Sequence, residues 1–214
     1  LGAALHARGQ LVEAVPPLAK AVASQLPDGR AWRLLAASLF ALKTREPLDE
    51  LARAATGHSG LDPLIAASVV IPAALAAFVT GDTEACNGWI AAADRLMANT
   101  GSEEALRALR RRALRQILLD REERREWASV VYARYLQALL PRMAEDRVAV
   151  PDVLHVIGDS HCLSPACRNV QFAGKPHRVC PHLVIGAKAW HLAADMNPSE
   201  GPQRRAFALA SARI

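Results

Sequence analysis

Val153-Leu154-His155-Val156-Ile157-Gly158-Asp159-Ser160-His161 is the stretch whose reading decides the fold. Apart from His155, its first five residues are apolar, and the run stops at a glycine. A short apolar run of this kind reads as a buried parallel strand. Glycine permits a tight turn after it, and a serine there presents its hydroxyl and its backbone N–H to one pocket. In open α/β sheets, ligands gather where strands end at their carboxyl edge. Before this stretch the chain reads as helix, and after it as the opening of an α/β domain.

The period changes at Val148-Ala149-Val150-Pro151-Asp152. The expected organisation is therefore a helical-repeat domain over residues 1–147 and an α/β portion over residues 148–214. In the first part, Leu1, Leu5, Leu11, Val12, Leu18 and Val22 recur at helical spacing around a Gly9-Gln10 turn. A second pair of helices is marked by Trp32, Leu35, Ala36 and Leu39, then by Pro47 to Thr56. A third runs from Leu64 to Thr80 and, after a Gly81-Asp82 turn, from Thr83 to Ala98, with Cys86, Ile90 and Ala93 at packing positions. Pro72 is expected to kink or break the first helix of that third pair.

Two longer helices follow. Ser102 with Glu103-Glu104 makes a capped, acidic first turn, and Leu106, Leu109, Ala113, Ile117 and Leu118 form the buried stripe. The next helix runs from about Glu122 to Arg147, with Trp127, Val130, Val131, Tyr135, Leu139 and Met143 on one face and Pro141 placed to bend or end it early. Trp32, Trp89, Trp127, Tyr132 and Tyr135 read as core rather than as a ligand-binding aromatic set, and Cys86 as a small buried residue.

In Leu1-Gly2, Leu5, Gly9, Ala14, Leu18, Ala21 and Pro27 the chain resembles the second part of a tetratricopeptide repeat, where small residues sit at a close helix crossing and a proline closes the unit. Trp32 lies where that family often has a tryptophan. The resemblance implies a protein or peptide partner. Such a repeat cannot bury its apolar face alone, so further repeats are expected upstream of Leu1.

Gly158-Asp159-Ser160 after its strand resembles the first block of the SGNH (GDSL-type) hydrolases. The resemblance implies Ser160 as nucleophile, with its own N–H as one oxyanion donor and Asp159 beside it in the block. Gly186, at the end of the strand-like run Arg178 to Ile185, corresponds to the second-block glycine and a second oxyanion donor. The family's third-block asparagine and its late Asp-x-x-His would lie beyond Ile214, so the chain is expected to be a fragment without a complete catalytic set. His161 adjoins the nucleophile in sequence, a poor geometry for its base, and neither it nor His191 is assigned that role. Gly158 to His161 together with Gly186-Ala187-Lys188-Ala189-Trp190-His191 also resembles bacterial proteins that join helical repeats to an SGNH-like domain.

The implied chemistry is ester hydrolysis or acyl transfer on an ester or acylated glycan, Ser160 attacking the carbonyl. The alternative is a non-catalytic repeat adaptor with a silent α/β appendage.

A third possibility comes from His155, His161, Cys162, Cys167, His177, Cys180, His182 and His191. Cys162-x4-Cys167 and Cys180-x-His182 can be drawn as two halves of a zinc site. Structural zinc sites use tighter Cys-x2-Cys knuckles with turn glycines, and neither pair has that form. His155 reads as a satisfied buried histidine within its strand, and Gly174-Lys175-Pro176-His177-Arg178 as a solvated basic turn between two strands. No metal and no cofactor are expected.

Composition agrees with a mainly helical chain: 51% of residues are hydrophobic but only 5% aromatic, a mixture poor for a β-sandwich. The net charge is +5, but Arg107, Arg110, Arg111, Arg112 and Arg115 are followed by Glu122, Glu123 and Glu126. Mixed signs at helical spacing read as a solvated face rather than a nucleic-acid surface. No apolar run reaches the roughly 18 residues of a membrane span. Four cysteines do not make a disulfide framework in a chain of this size, which points to a reducing, cytoplasmic setting.

Overall fold

The computed structural model describes residues 1–24, 29–98, 121–145, 149–158 and 160–183, with the side chains of 121–130, 144, 145 and 160 outside the description. Among the described residues the chain is mainly helical, with one small mixed sheet toward its carboxyl end. Three helical hairpins come first: α1 (Gly2–Ala7) with α2 (Leu11–Ala23), α3 (Gly29–Ala41) with α4 (Arg45–Gly57), and α5 (Pro63–Val79) with α6 (Thr83–Ala98). A long helix α7 (Arg121–Glu145) precedes β1 (Val153–Gly158), a 3-10 turn (Ser160–Leu163), β2 (Asn169–Phe172) and β3 (Lys175–Leu183).

Helix α5 is the axis of the helical part and packs against α3, α4, α6, α7 and β3. Its sequence is apolar on every side, which suits a helix surrounded by protein. Val69, Val70, Ala73, Ala74, Ala77 and Phe78 are fully buried. Asp62 starts it, its carboxylate accepting from the backbone N–H groups of Leu64 (2.9 Å) and Ile65 (3.2 Å), with Pro63 in the first turn where no N–H is needed. The helix is continuous across Pro72, so the break expected there does not occur. Packing on all sides holds the helix together despite the missing donor.

The three hairpins turn in the same way. At residues 9, 43 and 81 the backbone enters the left-handed region, with φ of 73°, 55° and 78°. In each turn that residue's N–H donates to the carbonyl three residues back, and the next N–H donates to the carbonyl five back: Gln10 to Leu5, Thr44 to Leu39, Asp82 to Ala77. This double bond pattern closes a helix through a left-handed residue, for which glycine carries no Cβ penalty. Gly9 and Gly81 meet that requirement. Lys43 occupies the middle turn instead, at a cost of roughly 1 kcal/mol.

Arg45 ties two of the turns. Its guanidinium reaches Asp49 (2.7 Å), Asp82 (3.1 Å) and Thr80 Oγ1 (3.1 Å). Asp82 also accepts from the Ala85 N–H at the start of α6, and that bond, aided by Arg45 and opposed by slight desolvation, holds its carboxyl below the usual range. Close crossing by small residues is visible at Gly2, where a Cβ would come within 2.7 Å of Leu18 Cγ.

Core assignments follow the sequence in most places. Trp32 and Cys86 are buried, and Trp89, Tyr132 and Tyr135 are partly buried against the same core. Val12 and Val131 depart from expectation at 66% and 45% exposure. On α7 the buried stripe is Ala133, Leu136, Leu139, Leu140 and Met143, and Val131 falls off that face. The helix continues past Pro141 to Glu145. The helix expected from Ser102 to Leu118, and the side chains of Trp127 and Val130, lie outside the described residues.

The sheet has the order β1-β3-β2. Strands β1 and β3 pair in parallel from Val153↔Arg178 to Gly158↔Leu183, whereas β2 and β3 form an antiparallel hairpin. Gly174-Lys175-Pro176-His177-Arg178 is therefore not a loop: Ala173 and Gly174 make the hairpin turn, and Lys175 onward is strand. The parallel pairing was legible; the antiparallel strand inserted between its members was not. Among the described residues no helix is long and apolar enough to cross a membrane.

Candidate functional site

The described parts of the two stretches singled out in the sequence lie in adjacent, parallel strands. Gly158 and Leu183 are the last parallel pair, so β1 and β3 finish together. Ser160 opens the 3-10 turn that follows β1, and its side chain lies outside the described residues. Asp159, Gly186 and His191 also lie outside them. His161 is exposed within the turn.

Gly158 does not have a positive φ, and a Cβ there would meet Cys162 Cβ at 3.7 Å, an ordinary contact. The turn after β1 therefore does not demand a glycine at this position. Below the turn, the Cys162 thiol lies 3.8 Å from the Gly158 carbonyl oxygen.

The face of the sheet that carries Val153, His155 and Ile157 on β1 also carries Arg178, Cys180 and His182 on β3, because paired residues of parallel strands share a face. His155 and Cys180 are direct partners, and His182 is two residues farther along. Their donor atoms converge. His155 Nδ1 is 2.9 Å from His182 Nε2, Cys180 Sγ is 3.8 Å from the same nitrogen, and all three atoms lie within 4.8 Å of one another. His182 is buried, Cys180 partly buried and His155 exposed, so His155 is hydrogen-bonded as expected but not buried. The two rings stand 5.2 Å apart and tilted by 36°.

Lys43 meets this cluster from the turn between α3 and α4. Its ammonium donates to His182 Nδ1 at 2.8 Å. An ammonium has no lone pair, so Nδ1 must accept, the ring hydrogen sits on Nε2, and Nε2–H donates to His155 Nδ1. Burial first, then the Lys43 charge and the neighbouring His155 ring, hold the His182 pKa below its ordinary value of 6.5. A cavity of about 180 Å³ lies on the helical side of the cluster, lined by Leu39, Phe40, Lys43, Ala76, Val79, Cys180 and His182 among others.

Cys162 and Cys167 do not join the cluster. The Cys167 thiol faces the carbonyls of Phe78 (3.7 Å) and Val79 (4.0 Å) at the end of α5, and burial pushes its pKa up. The two zinc half-sites drawn from spacing are thus not brought together: Cys180 and His182 meet His155 instead.

Sequence reasoning missed Lys43 altogether. A signal was present, since Leu42-Lys43-Thr44 stands where the other hairpins carry Arg8-Gly9-Gln10 and Thr80-Gly81-Asp82. A bulky residue kept in a glycine position points to a role for its side chain.

A second concave surface of about 690 Å³ lies between α4 and α6, lined by Asp49, Arg53, Thr56, Trp89, Arg95 and Leu96 among others. Trp89 is half-buried there and donates from its indole nitrogen to Asp49 at 3.1 Å. No protein family, no curated protein and no solved structure matches this chain.

Proposed function

We propose that the chain carries an SGNH-like serine hydrolase or acyl-transfer centre, with Ser160 as nucleophile, attached to a tetratricopeptide-type interaction domain. The observation that carries the reading is the parallel pairing of β1 with β3, which ends both strands at one edge. In sequence, Ser160 is the second residue after β1 and Gly186 the third after β3, which supports reading the two candidate blocks as leaving the same end of the paired strands. Carboxyl edges of parallel strands are where such sheets hold their ligands. In this reading Ser160 attacks an ester carbonyl, and its own N–H and that of Gly186 receive the developing oxyanion. Asp159 belongs to the same block. The three hairpins, with matching turns at intervals near the ~34-residue period of tetratricopeptide units, support the repeat reading. Four free thiols suit a reducing, cytoplasmic compartment.

The test is labelling of the full-length protein by a fluorophosphonate probe, with Ser160→Ala beside it. Labelling is expected in the first and absent in the second. A folded protein that takes up no probe would count against an activated serine.

That outcome would favour the second reading, a non-catalytic adaptor, which has an observation of its own. The α4–α6 groove combines a half-buried tryptophan with side chains of both charges, the composition of a peptide-binding surface.

A further inference from the structure

We infer that His155, Cys180 and His182 form a binding site for a zinc-type divalent cation, with a fourth coordination position open to solvent or to a small ligand. The inference is independent of the serine reading, since it uses the face of β1 and β3 rather than the turn beyond them.

Three observations carry it. The first is the donor set: two imidazoles and a thiol are the ligands that borderline-soft divalent ions select over the oxygen ligands preferred by magnesium or calcium. The second is distance. A tetrahedral ion about 2.0–2.1 Å from nitrogen and about 2.3 Å from sulfur holds its ligands roughly 3.3 Å (N to N) and 3.5 Å (N to S) apart. Here His155 Nδ1 and His182 Nε2 are 2.9 Å apart, and Cys180 Sγ is 3.8 Å from His182 Nε2. Small rotations of the two rings and the thiol open the first gap and narrow the second.

The third is rigidity. His155 and Cys180 are fixed opposite each other by the β1–β3 register, and His182 is held on the same face by the alternation of β3. Among the described residues three protein ligands converge, one short of a closed structural site, which is the count found where a metal keeps a position for water or substrate. His155 is exposed, and that is the side from which the fourth ligand enters.

Coordination has a balanced proton account. The cation takes the lone pairs of His155 Nδ1, His182 Nε2 and the Cys180 thiolate. The thiol proton and the hydrogen on His182 Nε2 leave to water. His182 then needs its hydrogen on Nδ1, which the Lys43 ammonium supplies, and the remaining amine accepts the new Nδ1–H bond. A dication enters and two protons depart, so the charge of the cluster with Lys43 is unchanged. Lys43 becomes the outer partner that orients a metal-bound histidine, a role commonly filled by a carboxylate or carbonyl.

The experiment is a titration of the protein with cobalt(II) alone, followed by absorbance. One equivalent is expected to produce an intense tetrahedral visible band together with a sulfur-to-cobalt charge-transfer band. Cys180→Ser is expected to remove the charge-transfer band, and His155→Ala to weaken binding by more than the ~10- to 100-fold that loss of an outer-shell partner costs. His155 is exposed, so that substitution leaves folding intact even if changes at buried His182 do not. A folded protein giving neither band, or a charge-transfer band that survives Cys180→Ser, overturns the inference. Serine labelling is read separately, so either conclusion can fail without the other.

Discussion

The helical part and the sheet bury their apolar residues to different degrees. Along α5, Val69, Val70, Ala73, Ala74, Ala77 and Phe78 have no exposed surface. In the sheet, Val153 is 51% exposed and Phe172 55%, while Val179 at 2%, His182 at 7% and Leu183 at 9% are buried farther along β3. Helical hairpins satisfy their own backbone and lend each other apolar faces, and with α7 and β3 they surround α5. A three-stranded sheet has two faces, and here one of them carries His155, Cys180 and His182, with Lys43 of the helical part bonded to His182. The first region buries nearly all of its apolar surface, and the second leaves more of its own exposed.

Substitutions can break or sharpen that contrast. The largest effect is expected from Phe78→Ala, which empties the centre of the helical core and, by analogy with other buried aromatics, lowers unfolding free energy by about 3–5 kcal/mol in a denaturant titration. Asp62→Ala removes the cap of α5 and is expected to cost about 1 kcal/mol by the same measurement, without touching the sheet. Phe172→Ser, at the exposed hairpin, should change stability by no more than about 0.5 kcal/mol. A loss at Phe172 as large as that at Phe78 would show that the sheet is the stability core and would reverse the contrast.

The same division governs what could be read from the sequence. Helices announced themselves because apolar residues recur over many turns, and the turns at Gly9 and Gly81 carry the residue that a left-handed backbone favours. The middle turn was harder to place because Lys43 hides that signal. Strand β2 is only Asn169-Val170-Gln171-Phe172, too short for alternation to stand out. The strand before Ser160 was legible from an apolar run that ends at Gly158, although Val153 and His155 leave it less buried than expected; its partner was legible as a strand-like run, although it ends at Leu183 among the described residues. The cluster on their shared face was not, because it depends on the register between two strands. A zinc pairing drawn from sequence spacing chose Cys162 and Cys167 as partners; in the fold their thiols turn to different carbonyls, Gly158 and Phe78.

Cys86 lies in the helical core, where burial, reinforced by the nearby Asp82 charge, pushes its thiol up to about 12. It therefore stays protonated and shielded from alkylating reagents while the helices remain closed, since the thiolate is the reactive form. Cys180, in the sheet, is only partly buried. A time course of alkylation read residue by residue thus acts as a pair of internal clocks. One runs with access to the sheet face, and the other only when the helical core opens.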